Sequence, residues 1–176
     1  AKKIKVHSEN IGLAIDSGLA SYRTLSLPFD DPSKIEEVIK FEVESDLPQW
    51  DIDDVIVDFL TLHTTPGVES TLLVTAVPKE RLEARLRACE RAGLEPHEAE
   101  LDTTALFNAA HAVGLLHPDS AQVLLHVGDT TTSVVVVDGG RLVNMRSIHT
   151  GVAPATFEAA PEAGAEGAGP EGEPAA

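Results

Sequence analysis

The chain has 176 residues, 43% of them hydrophobic, and carries 29 acidic against 13 basic residues for a formal net charge of −16. Nucleic acids and anionic lipids are bound by clustered Lys and Arg side chains, so this balance excludes both as expected partners and favours basic protein surfaces. The sequence has neither a signal-peptide pattern nor a run of about 18 apolar residues, so we expect no direct membrane insertion.

The first elements predicted along the chain are two strands, Ile11–Ile15 and Tyr22–Leu27, around the turn Asp16-Ser17-Gly18. A helix over residues 31–46 follows. Asp31 is its expected N-cap, and Pro32 stands at the first helical position, where a missing N–H costs nothing. Apolar residues at helical spacing predict that one face of this helix is buried.

The middle of the chain predicts two further strands, 55–62 and 70–77, and then a helix that opens at Pro78. Its stripe of Leu82, Leu86 and Cys89 should face a core. Cys89, the only cysteine, is consistent with a reducing compartment, and we interpret it as a small buried hydrophobe rather than a catalytic thiol.

A short strand at 97–101 and a helix capped by Asp102 come next; Leu106, Ala109, Ala110 and Val113 should point inward, and Gly114 should end the helix. Three strands are then predicted at 122–127, 132–137 and 141–148. Asp138-Gly139-Gly140 joins the last two through a turn that needs positive φ angles. This order of strands and helices indicates an α/β or α+β domain.

The segment 151–176 differs from the rest because it consists mainly of Ala, Gly, Pro and Glu, with five Glu and no Lys or Arg. Such a composition buries too little apolar surface to offset the entropy of ordering. We interpret it as a disordered acidic linker and expect it to lead to a further domain.

Three stretches in a fixed order carry a family resemblance: Leu25-Ser-Leu-Pro-Phe29 with Asp54-Val-Ile-Val-Asp-Phe59, Leu73-Val-Thr-Ala-Val-Pro-Lys-Glu-Arg81, and Val127-Gly-Asp-Thr-Thr-Thr-Ser133. The series resembles part of the type IV pilus assembly protein PilM and of its type II secretion relative, the cytoplasmic part of GspL. The resemblance implies an actin-like (ribonuclease H-like) α/β fragment into which a small α/β subdomain is inserted.

The same resemblance implies a division of the chain and a function. Residues 1–117 would be the inserted, partner-docking subdomain, 118–150 the start of the second actin-like half, and 151–176 the linker. The protein would be a non-catalytic cytoplasmic scaffold. It would lie at the inner membrane, bind the cytoplasmic tail of a membrane partner and sit near the motor ATPase; a homodimer is also considered.

The resemblance also implies a degenerate phosphate loop at Gly128, Asp129, Thr130, Thr131 and Thr132. We favour a plain hairpin turn for this segment, because a single glycine turn without its partner loop is a weak signal. His126 occupies the position of the family's metal-directed carboxylate, and Asp16-Ser17-Gly18 does not match the first phosphate loop. We therefore expect no cofactor and no ATP hydrolysis by this chain alone. The alternative is an actin-like ATP-binding protein or ATPase, of pilus or FtsA type, whose other motifs lie elsewhere in a full-length protein.

The predicted partner-binding surface lies around helix 31–46 and combines two aliphatic, two aromatic and three charged residues: Leu27, Pro28, Phe29, Trp50, Glu36, Glu37 and Lys40. Trp50 could be an exposed contact residue or a plug at the edge of a core. The Asp residues at 51–58 lack a Ca²⁺-loop pattern, and the seven His show no zinc spacing, so no metal is expected. No catalytic grouping is recognised either.

Overall fold

The computed structural model describes residues 10–47 and 49–152. These residues form three helices, α1 Pro32–Glu44, α2 Lys79–Arg91 and α3 Asp102–Ala112. They also form eight strands: β1 Gly12–Ile15, β2 Ser21–Leu27, β3 Val55–Thr65, β4 Glu69–Pro78, β5 Glu98–Leu101, β6 Ala121–Val127, β7 Thr132–Asp138 and β8 Arg141–Ile148.

The strands build three small sheets. β1 and β5 pair in parallel, with Ile15 beside Leu101. β4 is the central strand of an antiparallel sheet in the order β2-β4-β3, whose β3–β4 register shifts between Thr61 and His63. β6, β7 and β8 form an antiparallel meander. β1 and β2 are adjacent in sequence, but each pairs with a later strand, so they belong to different sheets.

Helix α1 covers one face of the β2-β4-β3 sheet. Asp31 caps the helix as predicted: its side chain accepts a hydrogen bond from the Ser33 amide, and Pro32 occupies the first turn. The buried stripe of α1 packs on inward residues of the strands, which gives the first core cluster of Leu27, Ile35, Ile39, Val43, Leu47, Val55, Leu72, Val74 and Ala76.

The opposite face of that sheet supplies Leu73 to a second cluster, with Val135, Val137 and Met145 of the β6-β7-β8 meander. Leu106 and Phe107 of α3 pack against the same cluster. β4 is therefore buried on both faces, which explains its continuous apolar run Leu72-Leu73-Val74.

Polar groups also connect distant parts of the chain. The Ser17 amide donates to a carboxylate oxygen of Asp102 (3.2 Å), and the Ser17 hydroxyl contacts the hydroxyls of Ser133 (2.9 Å) and Ser147 (2.7 Å). Residues 10–117 and 118–150 are thus in direct contact. The functional division at residue 117 stays a prediction, and most of the predicted linker 151–176 lies outside the described residues.

Several local predictions were wrong. Asp102 does not cap α3, whose N-cap is Leu101, because the Asp102 carboxylate is engaged by Ser17. Ala109 and Val113 are exposed, whereas Thr103 and Ala110 are the buried residues of α3. No residue of α2 is fully buried, so the Leu82, Leu86 and Cys89 stripe covers no closed core, and Cys89 is only half-buried.

A candidate partner-binding cleft and the loop at residues 128–132

A cleft of about 280 Å³ lies on the face of the β2-β4-β3 sheet that α1 does not cover. Residues of β3 and β4 form one wall; α2, β5 and the start of α3 contribute the others, and Ile15 and Met145 also reach it. We define the cleft by its apolar lining, Ile15, Ile56, Leu60, Leu73, Val77, Leu82, Leu101 and Met145, together with the polar Asp58, Thr75, Glu100 and Thr104.

Successive side chains of β3 point to opposite faces of the sheet, which explains why apolar side chains line this cleft. Val55 is buried beneath α1, whereas Ile56 and Leu60 point to the other face and are 39% and 44% exposed. On α2, Leu82 and Leu86 lie one helical turn apart, but only Leu82 reaches the cleft. Exposed apolar side chains grouped in a concave surface are typical of a binding site.

Two carboxylates give the cleft its charge. Asp58 accepts a hydrogen bond from the Phe59 amide (2.8 Å), and Glu100 accepts one from the Asn108 side-chain amide (2.6 Å). Among the residues that line the cleft, none is Lys, Arg or His. A ligand that combines apolar side chains with a cation therefore fits its chemistry best.

None of the seven predicted partner-binding residues lines this cleft, and the structure spreads them over the α1 side of the sheet. Leu27 is 3% exposed and belongs to the first core cluster, where Phe29 and Trp50 pack against it. The Trp50 ring is thus a plug at the core edge. Pro28, Glu36, Glu37 and Lys40 are exposed, and their role in binding stays a prediction.

The cleft itself was missed by the sequence reasoning. A signal was present: the apolar run in β4 requires a cover on both faces, and Ile56 and Leu60 place apolar side chains on the face away from α1. The far wall comes from residues 82 and 99–104, and their approach to β3 depends on tertiary folding.

The predicted phosphate loop is the connection between β6 and β7. The Gly128 amide donates to the Thr131 carbonyl (2.9 Å), the Val152 amide donates to the Gly128 carbonyl (3.0 Å), and the Thr132 hydroxyl donates to the Thr150 carbonyl (2.6 Å). Asp129 and Thr130 are exposed at the tip. This closed turn leaves the Thr130 hydroxyl as the most accessible hydroxyl of the loop.

Gly18 lies directly against this loop. A Cβ added at Gly18 would come within 2.8 Å of the Thr131 hydroxyl oxygen, so glycine permits the close approach of the two turns. The Asp16 carboxylate accepts the Gly18 amide (2.8 Å) and shapes its own turn rather than the loop. The structure thus brings the turn 16–18 and the loop 128–132 into direct contact.

Tyr22 is the one residue near these turns with a perturbed ionisation. Burial raises the pKa of its hydroxyl above the usual value, and hydrogen bonds to Thr103, Ser147 and Ser17 partly oppose the rise. Its oxygen lies 2.9 Å from the Thr103 hydroxyl, which is fully buried. The phenol is therefore a neutral structural group that satisfies buried hydroxyls.

Over residues 10–47 and 49–152, no three His, Cys, Asp or Glu side chains come together as a metal site would require. Within the same residues, no helix has the length and hydropathy needed to cross a bilayer.

Comparison with known proteins assigns residues 1–161 to the family model for the type IV pilus assembly protein PilM. Among solved structures, a PilM-PilN type IV pilus biogenesis complex aligns with a TM-score of 0.75 at 22% identity, over 84% of this chain and 44% of that one. No curated protein matches the sequence.

The cytoplasmic domain of EpsL, an inner membrane component of the type II secretion system of Vibrio cholerae, aligns with a TM-score of 0.56 at 13% identity, over 81% of this chain and 52% of that one. A Bacteroides thetaiotaomicron protein with an actin-like ATPase fold gives a TM-score of 0.47 at 12% identity, over 81% of this chain and 49% of that one. The chain therefore spans about half the length of these structures. The predicted resemblance to the PilM family and the predicted mixed α/β class are confirmed.

Proposed function

The chain belongs to the type IV pilus assembly protein PilM family, and from this premise we propose that it is a non-catalytic cytoplasmic scaffold of a type IV pilus or type II secretion platform. In this proposal it holds the cytoplasmic tail of an inner-membrane protein and stays at the membrane through that partner. The similar PilM structure is a complex with PilN, which supports a partner of this kind.

The observation that carries the proposal is the apolar cleft with an acidic lining. Leu60 and Leu82 offer apolar surface from β3 and α2 above the buried Leu73, and Asp58 and Glu100 supply negative charge beside it. An extended peptide with two apolar side chains and a Lys or Arg would bury its side chains there and pair its cation with a carboxylate. Such a segment is typical of the cytoplasmic side of a membrane anchor, where Lys and Arg are enriched.

Two further partners belong to the proposal. The motor ATPase of the assembly would contact the exposed α1 surface at Glu36, Glu37 and Lys40. A homodimer would use the outer face of the β6-β7-β8 meander, where Val123, Leu125, Val127 and Ile148 are 51–61% exposed. A contiguous apolar patch of this kind is typical of an interaction surface.

Site-specific photo-crosslinking tests the central partner. A photoreactive amino acid replaces Leu60 in the cleft, and a matched variant carries it at Leu125 on the meander. The expected result is a crosslink from position 60, and not from position 125, to the cytoplasmic segment of an inner-membrane assembly protein, identified by mass spectrometry. Crosslinks from position 60 only to soluble proteins would count against the proposal.

Nucleotide binding is a second candidate function, favoured by the close approach of Gly18 to the loop 128–132. ATP would then be held by a full-length protein, with this loop as one of two phosphate contacts. Titration of Mg-ATP into the full-length protein and into this chain separates the two functions: turnover by the full-length protein would favour the ATPase, and binding without turnover a nucleotide-dependent scaffold.

A further inference from the structure

The apolar cleft continues past Leu60 into a second concavity. Leu60 lines both the cleft and a cavity of about 550 Å³ between β3, α3 and the start of β8. We call the latter the β3–α3 cavity. Its apolar lining includes Leu62, Phe107 and Leu142, which also pack against the second core cluster.

One row of β3 side chains runs along both concavities. Ile56, Asp58, Leu60 and Leu62 occupy alternate positions of the strand, and alternate side chains of a strand point to the same face. The first three line the cleft, and the last two line the β3–α3 cavity. β3 is therefore a continuous wall of both.

Helix α3 forms the facing wall. Thr104 lines the cleft, whereas Phe107, Asn108 and His111 line the β3–α3 cavity. These positions are spaced i, i+3, i+4 and i+7, so they lie on one side of the helix. The His111 and Phe107 rings are 6.3 Å apart between centroids. The two concavities are thus halves of one groove between β3 and α3.

The charge of the groove reverses from one half to the other. The cleft half carries the carboxylates of Asp58 and Glu100. The β3–α3 cavity carries the side chains of His111 and Arg141 instead, and none of the described residues that line it is Asp or Glu, although the chain has 29 acidic residues.

Both cations of the β3–α3 cavity are available to a ligand. Arg141 and His111 are exposed, and their side chains form no hydrogen bond or ion pair with residues 10–47 and 49–152. Asp138 is the cross-strand neighbour of Arg141 in the β7–β8 hairpin, yet it makes no ion pair with it and does not line the cavity. A carboxylate bound there would meet two donors without displacing an internal partner.

We propose that this groove binds one extended segment of the membrane partner's cytoplasmic tail, with a Lys or Arg at the Asp58–Glu100 end and an Asp or Glu at the His111–Arg141 end. The inference rests on the proposed function and adds the order of charges in the partner. Asp58 and Leu62 are four residues of strand apart, about 13 Å, so the cation and the carboxylate of the peptide should be separated by about four residues.

Apolar contact supplies the affinity in this proposal. Side chains of the peptide between its two charges would cover Leu60 and Leu62, and burial of apolar area is the larger contribution to binding. The exposed charges at the two ends add little energy each, but they distinguish a matching peptide from one with the charges misplaced.

Synthetic ten-residue peptides that share the same leucines test the order of charges. Two of them carry a Lys and a Glu four residues apart, in either order along the peptide; three others carry the Lys alone, the Glu alone or neither. Fluorescence anisotropy of dye-labelled peptides gives their Kd for the full chain. The Lys peptide should bind more tightly than the neutral one, and one of the two Lys/Glu peptides should bind about threefold to fivefold more tightly than the Lys peptide.

Removing the cation of the β3–α3 cavity identifies the site. In Arg141→Gln, the ratio between the Kd values of the Lys peptide and of the better Lys/Glu peptide should fall to about one. Arg85→Gln is the matched control, because it removes the same charge from an exposed α2 residue that lines neither half of the groove, and it should keep the wild-type ratio. Circular dichroism checks that both variants are folded.

The outcomes separate this inference from the proposed function. A ratio of one in the wild type, or a gain from the Glu that survives Arg141→Gln, would overturn the inference and leave the acidic cleft in place, since the Lys peptide would still bind there. Equal Kd values for the Lys and the neutral peptide would contradict the acidic cleft itself, and the inference with it.

Discussion

The hydroxyl oxygens of Ser17 and Ser133 lie 2.9 Å apart although 116 residues separate them. Ser147 contacts the same Ser17 oxygen, so three serines from the 16–18 turn, β7 and β8 form one hydrogen-bonded series in which Ser17 and Ser133 are buried and Ser147 is half-buried. Buried polar atoms must be paired, and within the described residues none of the buried side-chain nitrogen or oxygen atoms lacks a partner. These serine hydrogen bonds fix how the β6-β7-β8 meander packs on the first half of the molecule.

Replacing Ser133 by Ala should lower the free energy of unfolding by about 1–2 kcal/mol, because Ser17 loses one partner in a site that excludes water. Urea denaturation followed by circular dichroism measures the change. Ser120→Ala, at an exposed loop position, is the matched control and should change it by less than about 0.5 kcal/mol. Equal losses of stability in the two variants would show that the hydrogen bonds among Ser17, Ser133 and Ser147 make no specific contribution to the free energy of unfolding.

The buried Tyr22 hydroxyl should make the protein sensitive to alkaline pH. Its pKa is raised in the folded state, so the folded chain holds the proton more tightly than the unfolded chain, whose phenol has a pKa of about 10. The stabilisation is complete below pH 10 and is lost as the pH rises through the folded value. The free energy of unfolding, measured by urea denaturation at several pH values between 8 and 11, should fall with rising pH in the wild type and fall less in Tyr22→Phe. The same pH dependence in the variant would assign the loss of stability to other groups.

Glycine at position 151 should be required for the loop 128–132 to close. A Cβ at Gly151 would meet the Gly128 carbonyl and the backbone of Asp129, so Gly151→Ala must push the two segments apart. We expect a loss of about 1–3 kcal/mol in stability, as for overpacking elsewhere, with faster exchange of the Val152 amide. At Gly12 an added Cβ meets only the Glu98 side chain at 3.4 Å, so Gly12→Ala should be nearly neutral; similar losses in both variants would refute the steric account.

The exposed meander face should govern self-association. If the proposed homodimer forms, light scattering at about 100 μM gives twice the monomer mass, and Leu125→Glu returns it to the monomer because a charge would be buried in the interface. Val68→Glu adds the same charge at an equally exposed apolar residue in the β3–β4 turn and should leave the dimer intact. A monomer mass for the wild type at this concentration would contradict the proposed homodimer.

Local signals in the sequence were sufficient for most of the fold. Asp31 and Pro32 mark the start of α1, and the glycines after Asp138 adopt φ angles of 56° and 75° in the predicted turn. The three meander strands lie within a residue or so of their predicted bounds. Each of these features depends on neighbours in sequence, whose physical preferences can be read directly.

Long-range contacts could not be predicted in the same way. Asp102 has the residue type of a helix cap, yet its carboxylate accepts the Ser17 amide 85 residues away. The cleft is likewise assembled from strands, α2 and β5, so no single stretch signals its shape. Leu27 looked available for a partner because its motif matched the family, but burial under α1 is a tertiary property.

The most direct test of the scaffold account is a calorimetric titration of the full chain with the synthetic cytoplasmic tail of the inner-membrane protein that crosslinks from position 60. The account predicts binding that Leu60→Glu weakens at least tenfold, about 1.4 kcal/mol, since a carboxylate in the apolar cleft opposes burial of the peptide, while Leu125→Glu binds like the wild type. Equal affinity of wild type and Leu60→Glu for the tail would contradict the assignment of the cleft.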